Sequence, residues 1–589
     1  MDNIKVYVGI DFGTAGTTFS YWFTDANELD IQPKRWSGTG ANSKTTTEII
    51  LGGENLEEIY AFGVNCMDYI NSTNYEQKPY HHYTNIKMKL YENTDIIYSE
   101  NSKKPASLIH IIKKILEYIK KESIEEINKI RTNILESEIK WVVTVPAVWK
   151  DSSKEKMMIA SIQAGLIKKK DDKSNFFALE PEAAAYYYAR SSSSDKNVLK
   201  EPYIICDLGG GTADISTHKR EENNGIITIH ELFPPTGGKH GSTYINQNFI
   251  DKILKLLFTE NSFDVIQSKI DKGKNGEDDS DLLYEMDTFL KNVEMFKKSF
   301  DLDKLGQYYN INCQIFKEGF EEEKSIEELV ENYNNKCRLQ WKVQIKNQKK
   351  WIIQFPYEII RDLTKEIIVD EVSKYIKEII ATLGLDTIKS IIYVGGLSSS
   401  NAIFKMFQNE LPEIKTHVIA PETEIIVSKG AILFAKNPYV ISSRKAQYTI
   451  GIRSEGKWKE KYEKGGELFI DPLTQEKFCE NLFVKFLTKG QDIKFDTVKT
   501  KKFFMNSEVS NIKFFKSNLP NPHFIDQRNE NGEKVTQQFG ELTFYVDENF
   551  DIKEPLVEIK VQLGGTYINA EVIYLKTGKK GIAEFSYLD

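Results

Sequence analysis

Two short stretches combine residues able to grip a phosphate and a metal. Asp11-Phe12-Gly13-Thr14 and Asp207-Leu208-Gly209-Gly210-Gly211-Thr212-Ala213-Asp214 each place a carboxylate, glycines and a threonine hydroxyl within a few positions. Glycine permits the positive φ of a tight turn and lets backbone N–H groups approach a bulky anion. Successive amides in such a turn form a concave nest for phosphate oxygens. The aspartates offer hard oxygen to Mg²⁺, directly or through its waters. Two such turns facing each other would clamp a polyphosphate, so the chain reads as one that binds ATP or ADP with Mg²⁺, with Asp11 and Asp207 as the metal residues.

The elements that must position these turns are legible beside them. Val8-Gly9-Ile10 and Tyr203-Ile204-Ile205-Cys206 are apolar runs of the kind buried strands show, each feeding a glycine hairpin and a second strand. Ser107 stands before a helix with Leu108, Ile111, Ile112, Ile115, Leu116 and Ile119 on one face. Trp141 to Val145 reads as a buried strand stopped by Pro146, and Asp151-Ser152-Ser153 as the cap of a helix reaching Gly165. Ser191 to Ser194 and Asp271 to Asp281 read as exposed loops, and Leu282 to Phe300 and Tyr357 to Leu383 as helices. Residues 301–350 carry no clear pattern. Ile391 to Val394 is a further strand ending in Gly395-Gly396.

After Pro438 helical periodicity gives way to alternation. Val557, Ile559, Val561 and Leu563 alternate with Glu558, Lys560 and Gln562, and turns are expected at Gly564-Gly565 and Lys576 to Lys579. Residues 446–589 are therefore expected to form a sandwich-like antiparallel β domain.

Composition bounds the function. At 589 residues the chain needs several cores, and 40% hydrophobic with 28% charged residues is an ordinary globular balance. A net charge of −8 lacks the basic footprint of a nucleic-acid surface. The five cysteines are scattered without a CxxC pair, which argues against a zinc ribbon or disulfide framework. Cys206 reads as a core thiol, and His81 and His82 as surface residues. The N-terminus has no apolar leader-like run and no segment is apolar enough to span a membrane, so a cytoplasmic location is expected.

The two hairpins together with Val394-Gly395-Gly396-Leu397-Ser398-Ser399-Ser400 form an ordered trio. It resembles the phosphate-one, phosphate-two and adenosine motifs of the actin, sugar-kinase and heat-shock ATPase superfamily. Val143-Thr144-Val145-Pro146-Ala147 and Leu179-Glu180-Pro181-Glu182-Ala183-Ala184-Ala185 resemble connecting motifs of the seventy-kilodalton heat-shock family. Ile86-Lys87-Met88, Gly241-Ser242-Thr243-Tyr244 and Lys429 to Phe434 are similar to the divergent member-twelve subgroup of that family. The resemblance spans most of residues 4 to 440.

It implies an α/β fold, a duplicated ribonuclease-H-like (actin-like) two-lobed ATPase over residues 1–440, with lobes of about 1–200 and 201–440, followed by the β domain. It implies that Asp11, Lys87, Glu180, Asp207 and Asp214 carry catalysis. Lys87, with Lys89 as alternative, would neutralise γ-phosphate charge; Glu180 and Asp214 would orient water. Nucleotide contacts would come from Gly13, Thr14, Ala15, Gly209, Gly210, Gly211, Thr212, Gly238, Gly241, Ser242, Glu294, Lys297, Lys298, Gly395, Gly396 and Ser398. His240 reads as a loop histidine. The implied activity is slow ATP hydrolysis coupled to the β domain, with an unfolded peptide or protein client as partner.

Some features depart from that pattern. The loop Gly13 to Thr18 reads as longer than the family turn. Paired arginines that would sandwich adenine are missing, with Lys298 and the serines around Ser399 in their places. Lysine lacks the planar guanidinium that stacks on a base. Pro438 to Gln447 lacks a leucine-rich linker, and no helical lid is expected after the β domain. The alternatives are an adaptor that binds ATP without turning it over, a sugar kinase on the same fold, and an actin-like filament protein.

Overall fold

The structure is a computed structural model that describes residues 4–36, 43–71, 79–168, 176–191, 195–273, 280–320, 324–384, 386–472, 474–495, 497–504, 509–545, 556–563, 569–576, 578 and 582–587. It is a mixed α/β protein.

The apolar run before Asp11 forms strand Val6–Phe12, which turns back into Gly16–Phe23. Val6–Phe12 also lies parallel to Ile139–Val145, which lies parallel to Phe177–Leu179, while Gly16–Phe23 pairs antiparallel with Gln32–Pro33. A second sheet repeats the scheme. Tyr203–Leu208 turns back into Ala213–Asn223 and then Ile226–Gly238, and on its other side lies parallel to Ser390–Val394, itself parallel to Thr416–Ile419. In both sheets the strand ending in the key aspartate sits between its hairpin partner and a parallel neighbour. Central strands buried on both faces need continuous apolar sequence, as both runs supply.

Two helices cross between the sheets. Glu180–Arg190 and Ile426–Lys436 share one core with Val142 of the first sheet and Ile205, Ile392 and Val394 of the second. They meet at Gly430, where an added Cβ would lie 1.9 Å from the Ala183 carbonyl oxygen. Helices Leu108–Ile130 and Asp151–Gln163 cover the outer face of the first sheet, their apolar stripes buried in a second core. Gly165 takes φ +73° just past the latter helix, the C′ geometry glycine favours. The Ser107 side chain makes no cap hydrogen bond, although its helix begins where expected.

Several expectations change. Residues 271–273 belong to helix Glu260–Gly273, so the charged stretch is not wholly a loop. The helix expected over Tyr357 to Leu383 is present, as Tyr357–Thr364 and Asp370–Leu383 joined through a π-helical turn at Lys365–Val369. Residues 301–350, unassigned from pattern, contribute Tyr308–Asn312 and Gln344–Asn347 to a three-stranded sheet with Ile352–Pro356, plus helix Ile326–Asn334. The Gly13 loop is short, because Thr17 and Thr18 pair with Phe12 and Asp11 as strand residues. His82 is not a surface residue: its side chain is 12% exposed, with Nε2 2.7 Å from Glu48 Oε2. Cys206 is buried as expected, and all five cysteines are free. The Gly564-Gly565 turn, Ser192 to Ser194, residues 274–279, and Thr577 and Lys579 lie outside the described residues.

Beyond residue 446 the described chain is strand with one short 3₁₀ turn at Glu460–Tyr462. A six-stranded antiparallel sheet and a three-stranded one enclose a common core that includes Ile452, Phe514, Leu542, Val557, Ile559, Val561 and Leu563. The alternation at 557–563 thus faces inward at every apolar position. This region is tied back to the second sheet, where Ile441–Lys445 pairs with both Ile226–Gly238 and Asp492–Ile493. Among the described residues, no helix is long and apolar enough to cross a membrane.

Candidate functional site

The two glycine turns face each other at contact distance. A Cβ on Gly210 would lie 2.6 Å from Ala15 Cβ, and one on Gly211 would lie 2.6 Å from Thr14 Oγ1. Only glycine permits this approach. The strands behind the turns deliver Asp11 and Asp207 to a single cavity of about 980 Å³. That volume lies at the upper end of the usual ~300–1,000 Å³ of small-molecule sites.

Of the carboxylates that line the cavity, four are buried: Asp11, Glu180, Asp207 and Asp214. All are nearly inaccessible, between 2% and 7% exposed. Glu180 starts its helix directly after strand Phe177–Leu179, with Pro181 in the first turn fixing the backbone. Asp214 Oδ1 accepts the Val148 N–H at 3.3 Å, which ties the second hairpin to the loop after Ile139–Val145. Two lysines answer these acids. Lys87 Nζ lies 2.6 Å from Glu180 Oε1, and Lys44 Nζ lies 2.8 Å from Asp11 Oδ2.

Burial, and then the neighbouring carboxylates, push the carboxyls of Asp207 and Glu180 above their ordinary range, with Lys87 opposing. Burial also raises Asp214, against Lys87 and its hydrogen bonds. Burial opposes the Lys44 charge, but Asp11 outweighs it and holds the ammonium above the usual lysine value. Carboxyls outnumber ammonium groups here, so the interior has an unmet need for positive charge. A hard dication between Asp11 and Asp207 fits that donor set. Lys89 instead pairs with Glu92 at 3.1 Å on the surface.

The rest of the expected set is brought together with three exceptions. Gly13, Thr14, Ala15, Gly209, Gly210, Gly211, Thr212, Ser242, Glu294, Lys297, Lys298, Gly395 and Gly396 all line the cavity. Gly238, Gly241 and Ser398 stand behind its wall. A Cβ on Gly241 would lie 2.2 Å from the Gly210 carbonyl oxygen, so this glycine lets the Lys239–Ser242 turn press on the second hairpin. Ser242 N–H donates to the Gly209 carbonyl at 3.1 Å, and Thr243 N–H to that of Gly210 at 2.9 Å. Ser398 Oγ donates to the Gly395 carbonyl at 2.6 Å and shapes that turn, where Gly395 takes φ +85°. Lys297 is held by Glu294 at 2.6 Å, whereas Lys298 is 66% exposed. His240 Nδ1 lies 3.0 Å from the Ile367 carbonyl oxygen and does not line the cavity, as expected of a loop histidine.

Sequence reading missed Lys44, Thr45 and Thr46, which also line the cavity. Thr45 and Thr46 pair with Thr17 and Gly16, and Thr47 Oγ1 donates to the Gly13 carbonyl at 2.7 Å. The one available signal was the Lys-Thr-Thr-Thr run itself, with hydroxyls able to staple a segment to a neighbouring turn.

No family model matches the chain. It is similar over 83% of its length to Heat shock 70 kDa protein 12A of Mus musculus and of Homo sapiens, each 24% identical over 549 residues and covered over 77% of its own length. It is 21% identical over 552 residues to Heat shock 70 kDa protein 12B of Homo sapiens, with the same coverage. These homologues are by name the seventy-kilodalton heat-shock subgroup that the motif set resembles.

Proposed function

We propose that this protein binds Mg·ATP between the two lobes of a duplicated ribonuclease-H-like fold and hydrolyses it slowly, passing the nucleotide state to a C-terminal β domain. The observation that carries this reading is the abutment of Gly210 and Gly211 on Ala15 and Thr14, with Asp11 and Asp207 facing one cavity. The repeated strand scheme supports the duplication, and relatives named heat shock 70 kDa proteins support nucleotide binding. The division proposed is residues 1–440 for the ATPase and 446–589 for the β domain.

In this reading Asp11 and Asp207 hold magnesium, largely through its waters. The metal, when bound, neutralises phosphate charge. Backbone amides of Gly13 to Ala15 and Gly209 to Thr212 cradle phosphate oxygens, while Thr14 and Thr212 hydroxyls donate to them. Lys87 places positive charge where negative charge develops. Glu180 and Asp214 accept hydrogen bonds from the attacking water and orient it. Little covalent chemistry falls to the protein; positioning dominates. Gly395 and Gly396 underlie the ribose side, and the Glu294–Lys297 pair flanks it. For the β domain the proposed partner is an extended apolar peptide. The exposed side chains of Leu468, Phe469 and Ile470, on an edge strand, support that class.

A second reading, an adaptor that binds ATP without turnover, has its own support. Lys44 and Lys87 already hold Asp11 and Glu180 in ion pairs. Titration with ATP and ADP, with and without Mg²⁺, followed by single-turnover hydrolysis in wild type, Asp11→Ala and Glu180→Ala, decides. The enzyme reading expects Mg-dependent binding and a loss of about 100-fold or more in both variants. Binding with no turnover in wild type selects the adaptor. Absence of nucleotide binding overturns both.

A further inference from the structure

Behind the first glycine turn, three side chains of different chemistry converge from separate segments. Glu48 precedes strand Ile49–Gly52, Cys66 lies in helix Asn65–Asn71, and His82 lies in strand Tyr80–Tyr83, which pairs with Ile49–Gly52. One donor atom from each, a carboxylate oxygen, a sulfur and a ring nitrogen, lies within 4.8 Å of the other two. His82 Nε2 is 2.7 Å from Glu48 Oε2. The Cys66 thiol donates to the Glu48 backbone carbonyl at 3.6 Å and is fully buried.

We propose that Glu48, Cys66 and His82 form a binding site for a zinc-type divalent cation, separate from the nucleotide cavity. The donor set selects the metal. Thiolate, imidazole and carboxylate together suit zinc, whereas magnesium and calcium prefer oxygen alone. Zinc bonds of ~2.0–2.3 Å place tetrahedral ligands roughly 3.3–3.8 Å apart. The donors lie within 4.8 Å of one another, so pairs have to close by no more than about 1.5 Å, while the Glu48–His82 pair opens from 2.7 Å. Three protein ligands leave a fourth position for water.

The surroundings are those of a braced site. Thr46 Oγ1 donates to Glu48 Oε1 at 2.6 Å, fixing the carboxylate, and the His82 backbone N–H donates to Asn101 Oδ1 at 3.0 Å. Binding forms the sulfur–metal bond and releases the thiol proton to solvent. His82 would bind through Nε2 as a neutral imidazole with its proton on Nδ1. A hydrogen-bonded His–Glu pair beside an inert thiol is the competing account, and it places no ion there.

The site borders the nucleotide cavity through two residues of chain and one hydrogen bond. Val64, two residues before Cys66, donates its N–H to Thr45 Oγ1 at 3.0 Å, and both residues line that cavity. A cation here would therefore stiffen the segment that carries Lys44.

The test uses the whole chain, stripped with chelator and titrated with Co²⁺ and Zn²⁺. The expected result is one tightly bound cobalt giving a thiolate-to-cobalt charge-transfer band and tetrahedral d–d bands, displaced by zinc. Cys66→Ser abolishes the charge-transfer band, and Cys337→Ser leaves it intact. Glu48→Gln and His82→Gln, which keep side-chain hydrogen bonding, each weaken zinc affinity at least ~10-fold. They decide the matter if Cys66→Ser fails to fold by circular dichroism. No charge-transfer band in wild type, a band surviving in Cys66→Ser, or unchanged affinity in both glutamine variants overturns the proposal.

Discussion

Lys87 Nζ and Glu180 Oε1 lie 2.6 Å apart inside the cavity, their side chains 6% and 8% exposed. Removing one member of such a pair leaves a buried charge without its partner, a loss of ~3–5 kcal/mol in typical cases. Lys87→Met is expected to lower stability on that scale, because Glu180 loses its ion-pair partner and stays beside Asp11, Asp207 and Asp214. Glu180→Gln combined with Lys87→Met should recover part of the loss, since neither member of the pair is then left charged without the other. Urea melts of wild type, both single variants and the double variant give the coupling. Strictly additive losses would mean that the two side chains do not interact in solution.

Lys44 is placed to compete with magnesium. Its ammonium sits 2.8 Å from Asp11 Oδ2, where a cation shared with Asp207 would also have to sit. In Lys44→Met the carboxylate is free for the metal. The Mg²⁺ concentration that half-saturates nucleotide binding should fall by about 10-fold, which is ~1.4 kcal/mol of removed competition. Magnesium-free ATP binding should weaken in the same variant, because a phosphate-facing cation has gone. A fluorescent-nucleotide titration across Mg²⁺ concentrations reads both. An unchanged midpoint would show that Lys44 leaves Asp11 before metal arrives.

Gly430 lets the two inter-sheet helices touch. An alanine methyl there would stand 1.9 Å from the Ala183 carbonyl oxygen and 2.4 Å from its carbon, and backbone atoms cannot rotate away. Alanine favours a helix by up to ~1 kcal/mol over glycine. Overpacking costs ~1–3 kcal/mol or more, so the steric effect wins and Gly430→Ala should lower the melting temperature. The displaced helix begins at Glu180, so any turnover should fall with it. A higher melting temperature would mean that helix propensity outweighs the contact.

How much of this was legible in sequence depended on range. The Asp11 and Asp207 turns were readable because glycine and the preceding apolar strands act within ten residues. Both turns, Glu180 and Lys87 meet in one cavity. The family resemblance supplied Lys87, which spacing alone could not separate from Lys89; burial separates them. Lys44 and the Glu48–Cys66–His82 cluster escaped because their partners lie far away in sequence and meet only in the folded chain. Gly238, Gly241 and Ser398 do not line the cavity; Gly241 and Ser398 act on the turn backbones from behind. Residues 301–350 gave no pattern because their sheet has short strands with one largely exposed edge.

Glu231 gives the protein a pH-dependent strain beside the Glu180 helix. It is 2% exposed; Oε1 accepts the Lys445 N–H at 2.7 Å, and Oε2 has no hydrogen-bond partner among the described residues. Nearby, Arg444 is engaged by both oxygens of Glu182, at 2.6 and 2.7 Å, and the strand partner His218 is held neutral, its pKa lowered to about 3 chiefly by burial. Burial, with Glu182 adding and the Lys445 N–H, Arg444 and the Lys445 charge opposing, pushes the Glu231 carboxyl up to about 8 from 4.5. Between those values the native state keeps a proton that the unfolded chain has lost. Stability from this group is therefore complete below about pH 4.5 and declines as pH rises toward 8. Glu231→Gln keeps an oxygen for Lys445 and carries no charge at any pH. Its melting temperature relative to wild type should rise between pH 5 and 8, with the larger gain at pH 8. A difference between the two proteins that does not vary with pH would mean that Glu231 titrates alike in the folded and unfolded chain.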